Sequence, residues 1–185
     1  MDMALTPSGK SGRNKRRDRI VAVIALVAIV LAGTSLIDPL QFFYKRCFNE
    51  THFRGQDLAI SALEYARTHH NKLPDAANWE QALGFPKGAP IPTFFWEPPR
   101  KFVMNNAFSG KSPSSLPEQS QAVLFFESTS QESSAVFNAA ALPPCTARRP
   151  LSWAVYANGG SDMILCKARD IVIERSAKQS SKQSQ

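Results

Sequence analysis

Glu97 and Glu127 are the two carboxylates of this sequence that could serve as a general acid and base. Nothing in their spacing brings them together, and a strand-edge or surface position is the simpler interpretation of Glu127, which ends an apolar run. His69 and His70 lie at a predicted helix end, where imidazoles interact with exposed carbonyl groups. The sequence offers no set of nucleophile, base and orienting residue, and it therefore predicts that the protein is not an enzyme.

Two further patterns bear on metals and cofactors. The Ser-Gly-Lys stretch at 109–111 resembles a phosphate-binding loop, but it lacks the upstream glycine and the following helix of such a loop. The three cysteines, Cys47, Cys145 and Cys166, have no spacing typical of zinc ligands. We therefore expect no metal and no cofactor. Cys145 and Cys166 lie in the same C-terminal region and could instead form a disulfide, with Cys47 as the odd cysteine.

Phe94, Phe95 and Trp96 form an aromatic cluster at the start of a loop over 94–108. Aromatic rings can stack on ligands, although packing of a small sheet on a helix is the default role of such side chains. The cluster is therefore the candidate binding loop if the chain is an exported ligand-binding module.

The position of these residues depends first on the N-terminal segment. From Ile20 to Ile37 eighteen residues carry no charge, and a helix of this length spans about 27 Å, close to the hydrocarbon thickness of a bilayer. A signal peptide would have a shorter apolar core, followed by a cleavage site and a polar stretch. The sequence therefore predicts a retained transmembrane helix over 20–37, behind a basic tail over 1–19.

The charge pattern predicts an orientation for this helix. The net charge is +7, and residues 1–19 carry +4 of it, so the positive-inside rule leaves the tail in the cytoplasm and exports a domain over 38–175. From Asp38 onward the charges are scattered and sum to +3. Scattered charge of this kind is typical of a solvated surface, and we expect no nucleic-acid binding.

Helical periodicity marks the first part of the exported domain. Apolar or small residues recur every three or four positions over 40–66, which predicts a helix that bends near Gly55 and ends before Pro74. Asn78, followed three residues later by Gln81, predicts a cap for a short second helix.

Strand patterns mark the second part, after a proline-rich stretch over 85–119 that we expect to be irregular. Strands are predicted over 121–127, 151–157 and 161–166, with a further one over 170–174, and residues 176–185 are expected to form a disordered tail. The Asn-Gly-Gly stretch at 158–160 predicts a hairpin turn. The predicted fold class is α+β, with a long N-terminal transmembrane and amphipathic helix followed by a small antiparallel sheet.

This architecture resembles the type IV pilins and the pseudopilins of type II secretion. The stretch "AISALEYARTHHNKLPDAANWEQAL" is similar to the pseudopilin segment in which a long helix ends before a proline and a short helix follows. The stretches "FVMNNAFSGKSPSSLPEQSQAVLFFES" and "RRPLSWAVYANGG" resemble bacterial prepilin-like proteins with an H-X9-DG C-terminal region (DUF1559). The resemblance covers residues 58–85 and 102–165, and it implies a pilin-like fold.

The chain departs from that family at its motif and at its head. Arg148 stands where the family hairpin has His, and Asn158 with Gly159 stands where it has Asp-Gly, so a role that needs this pair is not expected. The stretch between Lys15 and Gly33 contains neither the Gly of a prepilin cleavage site nor the Glu that neutralises a neighbouring subunit's amine. The predicted head is therefore an uncleaved anchor, and the protein is not expected to enter a pilus-like filament as a major subunit.

The resemblance implies a non-enzymatic, membrane-anchored, pseudopilin-like protein. Its expected location is the cytoplasmic (inner) membrane, with the N-terminus in the cytoplasm and the C-terminal domain in the periplasm. Its expected partners are the membrane and other proteins of a secretion or envelope assembly. The alternative function is an exported ligand- or polymer-binding module that uses the aromatic loop over 94–108.

Overall fold

The computed structural model describes residues 11–93, 97–116, 118–147 and 149–182, and its first element is helix α1 (Ser11–Thr68). The chain divides into two units between Arg46 and Cys47. Helix α1 supplies the described residues of the first unit and the beginning of the second. The side chains that the structure describes from Val21 to Gly33 are all exposed.

The prediction of a transmembrane helix over 20–37 is wrong for the described part of the chain. No helix there combines the length and the apolar character that a membrane crossing requires.

The second unit has the α+β composition that the sequence predicts. After α1 come helix α2 (Trp79–Ala82) and strands β1 (Lys101–Asn105), β2 (Val123–Ser128), β3 (Ser134–Ala135), β4 (Leu151–Tyr156) and β5 (Ser161–Leu165), followed by helix α3 (Arg169–Lys182). Short 3-10 helices cover Asn106–Phe108, Pro113–Ser115 and Cys166–Ala168. The Asn-Gly-Gly turn joins β4 to β5, and this confirms the predicted hairpin.

The sheet of the described residues has five strands in the order β3-β1-β2-β4-β5, and it is mixed, so the prediction of an antiparallel sheet is wrong. The exception is β3, which runs parallel to β1 and pairs Ser134 with Met104. The backbone N–H of Met104 donates to the carbonyl of Ser133 (3.0 Å), and the Trp79 indole donates to the same carbonyl (2.6 Å). This two-residue strand therefore depends on distant partners and has no pattern of its own in the sequence.

Small residues of α1 bring the helix against one side of the sheet. Ala59, Ala62 and Ala66 are fully buried in the cluster that also holds Phe125 of β2. At Gly55 the approach is so close that a Cβ would lie 3.0 Å from a methyl group of Val155. Gly55, near which the sequence predicts a bend, is thus a position whose lack of a side chain permits this contact.

The other side of the sheet is covered by irregular chain and by α3. Phe126 of β2 packs against Phe137 with ring centroids 5.1 Å apart, and Leu142 and Ile164 join the same cluster. Val172 of α3, which is partly buried, packs against the edge of this cluster.

Two local predictions are wrong, and a third is confirmed only in part. The segment 170–174 is not a strand but part of α3, in which the adjacent Val172 and Ile173 both contact the core, as strand alternation would not allow. Asn78 is the N-cap residue of α2, as predicted, but among the described atoms its side chain makes no capping hydrogen bond. Strand β1 lies inside the proline-rich stretch that was expected to be irregular.

Candidate functional site

Glu127 is a fully buried carboxylate near the end of β2, with 0% of its surface exposed. It lies opposite Phe102 of β1, and one carboxylate oxygen accepts a hydrogen bond from the backbone N–H of Trp153 in β4 (3.2 Å). The interpretation of Glu127 as an edge or surface residue is therefore wrong. A buried carboxylate is costly unless charged or polar partners surround it.

Arg100 and Arg149 are those partners, and each of them bridges the same two glutamates. Arg100 donates from one terminal nitrogen to Glu127 Oε1 and from the other to Glu97 Oε2 (2.5 Å). Arg149 donates to the same two oxygens, and its distance to Glu97 Oε2 is 3.1 Å. Glu97, Arg100, Glu127 and Arg149, here called the ion-pair cluster, thus form a closed ring of charge-assisted hydrogen bonds.

The chain reaches the ion-pair cluster through segments that flank the strands. Arg100 precedes β1 and forms an isolated β-bridge with Ile91, while Arg149 precedes β4 and forms one with Thr146. The backbone of each arginine is therefore held in place by pairing next to the sheet.

Exposure differs between the two glutamates. The side chain of Glu97 is 13% exposed and that of Arg149 is 21% exposed, whereas Arg100 is 4% exposed and Glu127 is completely covered. The ion-pair cluster thus has an inner half, Glu127 with Arg100, and an outer half, Glu97 with Arg149, that solvent can reach.

The outer half lines a cleft of about 430 Å³. Glu97, Arg100 and Arg149 form its polar wall, and Pro98, Pro143 and Pro144 are prominent in its apolar wall. This volume falls within the range of small-molecule sites, which is about 300–1,000 Å³. An apolar wall with two guanidinium groups is suited to a ligand that carries both a negative charge and an apolar part.

A third arginine and a disulfide hold the proline wall. Arg169 donates to the carbonyl of Pro143 (2.9 Å) and to the hydroxyl of Ser152 in β4. Cys145 and Cys166 are joined by a disulfide with their Cα atoms 6.2 Å apart. The segment between Pro143 and Cys145 is thereby tied to the sheet and to the start of α3.

Burial sets the protonation behaviour of this region. It raises the pKa of the Glu127 carboxyl, while the charge of Arg100 and the hydrogen bond from the Trp153 N–H oppose the rise. Burial also lowers the pKa of the Arg169 guanidinium, and the nearby charge of Glu127 opposes that effect. The ionised form of Glu127 therefore depends on its arginine neighbours.

The predicted family-motif positions are placed only in part. Asn158 and Gly159 lie in the β4–β5 turn, where the side chain of Asn158 accepts from the N–H of Gly160 (2.9 Å) and Gly159 has a φ of 88°. Arg148 and the candidate binding loop Phe94, Phe95 and Trp96 lie outside the described residues. The described residues that border them, Glu97 and Arg149, belong to the ion-pair cluster.

Other candidate residues have structural contacts. The His69 ring stacks on Tyr65 (3.7 Å between centroids) at the end of α1. The hydroxyl of Ser109 donates to Asp75 (3.2 Å) in the loop before α2. The described residues contain no group of three or more His, Cys, Asp or Glu side chains that could hold a metal ion.

A serine and a histidine also meet where α1 contacts the hairpin. Ser161 Oγ lies 2.8 Å from His52 Nδ1 and donates to the carbonyl of His52 (3.0 Å). The imidazole packs beside Trp153 with centroids 5.7 Å apart. This pair fastens the start of β5 to the helix.

Sequence reasoning missed Arg100, Arg149 and Arg169. The available signal was Glu127 itself, because it follows four apolar residues without a turn, and a carboxylate at a buried strand position requires a cation. The sequence does not show which of its many arginines supply that charge.

Comparison with known proteins adds no relative. No family model, no curated protein and no solved structure matches this chain.

Proposed function

We propose that this protein is a non-enzymatic interaction component that associates with other proteins of a cell-envelope or secretion assembly. The observation that carries the proposal is the exposed apolar stretch of α1. Between 50% and 69% of the surface of each of its large side chains is exposed, namely Val21, Val23, Ile24, Leu26, Val27, Ile29, Val30 and Leu31. Contiguous apolar surface of this kind marks an interaction site, because its contact with water is unfavourable.

The proposed location of the second unit is the periplasmic side of the cytoplasmic membrane. The disulfide between Cys145 and Cys166 supports it, since disulfides persist in oxidising compartments and are rare in the cytosol. The resemblance to pseudopilins supports the same location and the same class of partner, and it stays a prediction.

Association is tested with variants of the apolar stretch. Full-length protein is purified from its own cells in mild detergent, with a photo-crosslinking residue at position 30. In one variant Ile24→Lys is combined with Val27→Lys, and in the matched control Ile24→Leu is combined with Val27→Leu. We expect specific crosslinked complexes with the native protein and the leucine control, and none with the lysine variant. Crosslinks that survive both lysines would contradict the proposal.

Location is tested separately. Spheroplasts are treated with protease, and the second unit should be digested while cytoplasmic marker proteins stay intact. Protection of the second unit in intact spheroplasts, followed by digestion after lysis, would place it in the cytoplasm and refute the proposed location.

A second candidate function is a ligand-binding module, and the cleft favours it. Its volume and its mixture of arginines with prolines are typical of a binding site. The segment Glu97–Arg100 also lies within the loop for which the sequence suggested ligand binding.

A further inference from the structure

The two glutamates of the ion-pair cluster differ in burial: one is completely buried and the other is partly exposed. Glu127 is fully covered, accepts from the Trp153 N–H and orients both guanidinium groups. Glu97 is partly exposed, and its Oε2 accepts from Arg100 (2.5 Å) and from Arg149 (3.1 Å) at the wall of the cleft. The outer position between the two arginines is thus a formed carboxylate site that solvent can reach.

We propose that the cleft is a binding site for the carboxylate of a peptide, and that Glu97 occupies the position which this carboxylate takes between Arg100 and Arg149. The inference rests on the second candidate function and names its ligand class. The carboxylate belongs either to a chain terminus or to an acidic side chain.

The charge of the surroundings favours an anionic ligand. Three arginines, Arg100, Arg149 and Arg169, are close to two glutamates in this part of the described chain. If a ligand carboxylate replaces that of Glu97, each of the two guanidinium groups keeps a carboxylate partner at this position. A cationic ligand would instead face the arginines without compensation.

The hydrogen-bond donors of Arg100 and Arg149 also favour an anionic ligand. In addition to the terminal nitrogens already paired, the buried Nε atoms of Arg100 and Arg149 find no acceptor among the described residues. A buried donor without an acceptor costs about 1–3 kcal/mol. The present arrangement therefore does not use all the hydrogen-bonding capacity of the site, and a rearrangement around a new carboxylate can use more of it.

The wall of the cleft suits the remainder of a peptide. Pro98, Pro143 and Pro144 present apolar surface with no backbone N–H, and the wall is fixed by the disulfide and by Arg169. A site held in this way loses little conformational freedom when the ligand binds. The ligand class is thus a short peptide segment with an apolar residue next to a carboxylate.

Binding is measured by isothermal titration calorimetry on the full-length protein in mild detergent. The probes are acetyl-Ala-Pro-Ala with a free terminal carboxylate, the same peptide as its amide, and acetyl-Ala-Pro-Glu-amide. We expect the neutral amide to bind at least about tenfold more weakly than the better of the two carboxylate peptides, because it leaves the guanidinium groups without a charged partner. The comparison between the two acidic probes decides between a chain terminus and an acidic side chain.

Two variants test the residues. Glu97→Gln removes the charge of the internal competitor, and we expect it to bind the carboxylate peptides about threefold or more tightly than the native protein. Arg149→Lys keeps the charge but loses the planar fork, and we expect binding at least about tenfold weaker. Arg67→Lys, at an exposed position of α1, is the matched control and should bind like the native protein.

The contrary outcomes are distinct. Equal binding of acid and amide would overturn the carboxylate assignment and leave the ligand-binding function in place. If none of the three peptides binds to the native protein or to Glu97→Gln, the carboxylate assignment and the ligand-binding function are both overturned. Unchanged or weaker binding by Glu97→Gln would refute its role as the internal competitor. Since Arg149→Lys could affect folding, its thermal midpoint is measured in parallel, and Glu97→Gln decides the question if that midpoint falls.

Discussion

The sheet of the second unit is held in two different ways, against α1 and at the cleft. Against α1 the contact consists of small, uncharged residues, with Ala59 and Ala62 fully buried and Gly55 in close approach to Val155. At the cleft the contact consists of the ion-pair cluster, the proline wall and the disulfide.

The difference concerns how the parts depend on one another. An alanine on the buried face of α1 contributes the apolar area that it buries and its packing against the sheet. Both change little with the state of other residues. Each arginine of the ion-pair cluster serves both glutamates, so the loss of one group leaves several others without partners. We therefore expect substitutions at the cleft to have large and coupled effects on stability. Substitutions in the contact between α1 and the sheet should have smaller and independent effects.

The largest effect is expected for Glu127→Ala. This change removes the acceptor that Arg100, Arg149 and the Trp153 N–H share and leaves an unfilled space. Breaking a buried ion pair by removing one partner costs about 3–5 kcal/mol. Urea unfolding of the full-length protein measures the free energy of unfolding.

Glu174→Ala is the control, since Glu174 forms an exposed pair with Lys178 at 4.0 Å and such pairs contribute less than about 1 kcal/mol. If Glu127→Ala lowers the free energy of unfolding no more than Glu174→Ala does, the residues of the ion-pair cluster do not depend on one another as proposed.

Removal of the disulfide is expected to have the next largest effect. Cys145 and Cys166 are 21 residues apart in the sequence, and closing a loop of this size stabilises a fold by about 3 kcal/mol. The double variant Cys145→Ser with Cys166→Ser should lose about this much in urea unfolding.

Treatment with dithiothreitol should reproduce the loss in the native protein and leave the double variant unchanged. A native protein that is equally stable with and without reductant would show that the wall of the cleft does not need the disulfide.

Gly55→Ala, in the contact between α1 and the sheet, is expected to have a smaller effect on stability. Alanine favours a helix over glycine by about 1 kcal/mol. A Cβ at this position would however lie 3.0 Å from Val155 and 3.1 Å from Ser161, whose hydroxyl is held by His52. Overpacking costs about 1–3 kcal/mol, so we expect a net loss of about 1 kcal/mol.

Gly33→Ala is the matched control on the same helix, because a Cβ there has no neighbour within 4 Å among the described atoms. It should raise helicity by circular dichroism or leave it unchanged. A gain in stability from Gly55→Ala equal to its helix propensity would mean that the contact with the sheet is looser than the distances indicate.

Local sequence patterns predict part of this fold, and contacts between residues distant in the sequence determine the rest. The helical spacing over 40–66 and the Asn-Gly-Gly turn are local signals, and α1 and the β4–β5 hairpin are found where they predict them. Strand β3 has no such signal, because it consists of two residues and is positioned by Trp79 and Met104 from elsewhere in the chain. Segment 170–174 shows strand alternation, but in the structure it is helical and packs on a core that local pattern cannot reveal.

The cleft was less predictable than the fold. Arg100 and Arg149 are 49 positions apart, and no pattern in the sequence links them. They meet because each precedes a strand, and β1 and β4 both pair with β2, which carries Glu127. The ion-pair cluster is thus a consequence of strand order, which the sequence does not specify locally. In the sequence, Glu97 and Glu127 suggest only a pair for acid–base catalysis, and their spacing gives no reason to place them together.

The smallest and most specific effect is expected in the pH dependence. Burial raises the pKa of the Glu127 carboxyl in the folded protein above the ordinary value for glutamate, about 4.3. Between the ordinary and the raised value the folded state binds more protons than the unfolded state, so stability falls as the pH rises. The contribution is fully present below the ordinary value and is lost as the pH rises through the folded one.

Glu127→Gln isolates this contribution, because glutamine keeps an acceptor and does not titrate in this range. We expect the free energy of unfolding of the native protein, relative to that of Glu127→Gln, to decrease as the pH is raised from 4 towards neutrality. Glu174→Gln makes the same substitution at an exposed position and controls for the exchange of side chain itself. A difference that increases with pH would mean that Arg100 and Arg149 outweigh burial. The ion-pair cluster would then be a fully ionised, balanced set of two arginines and two glutamates, and Arg169 alone would supply the positive excess that favours a carboxylate ligand.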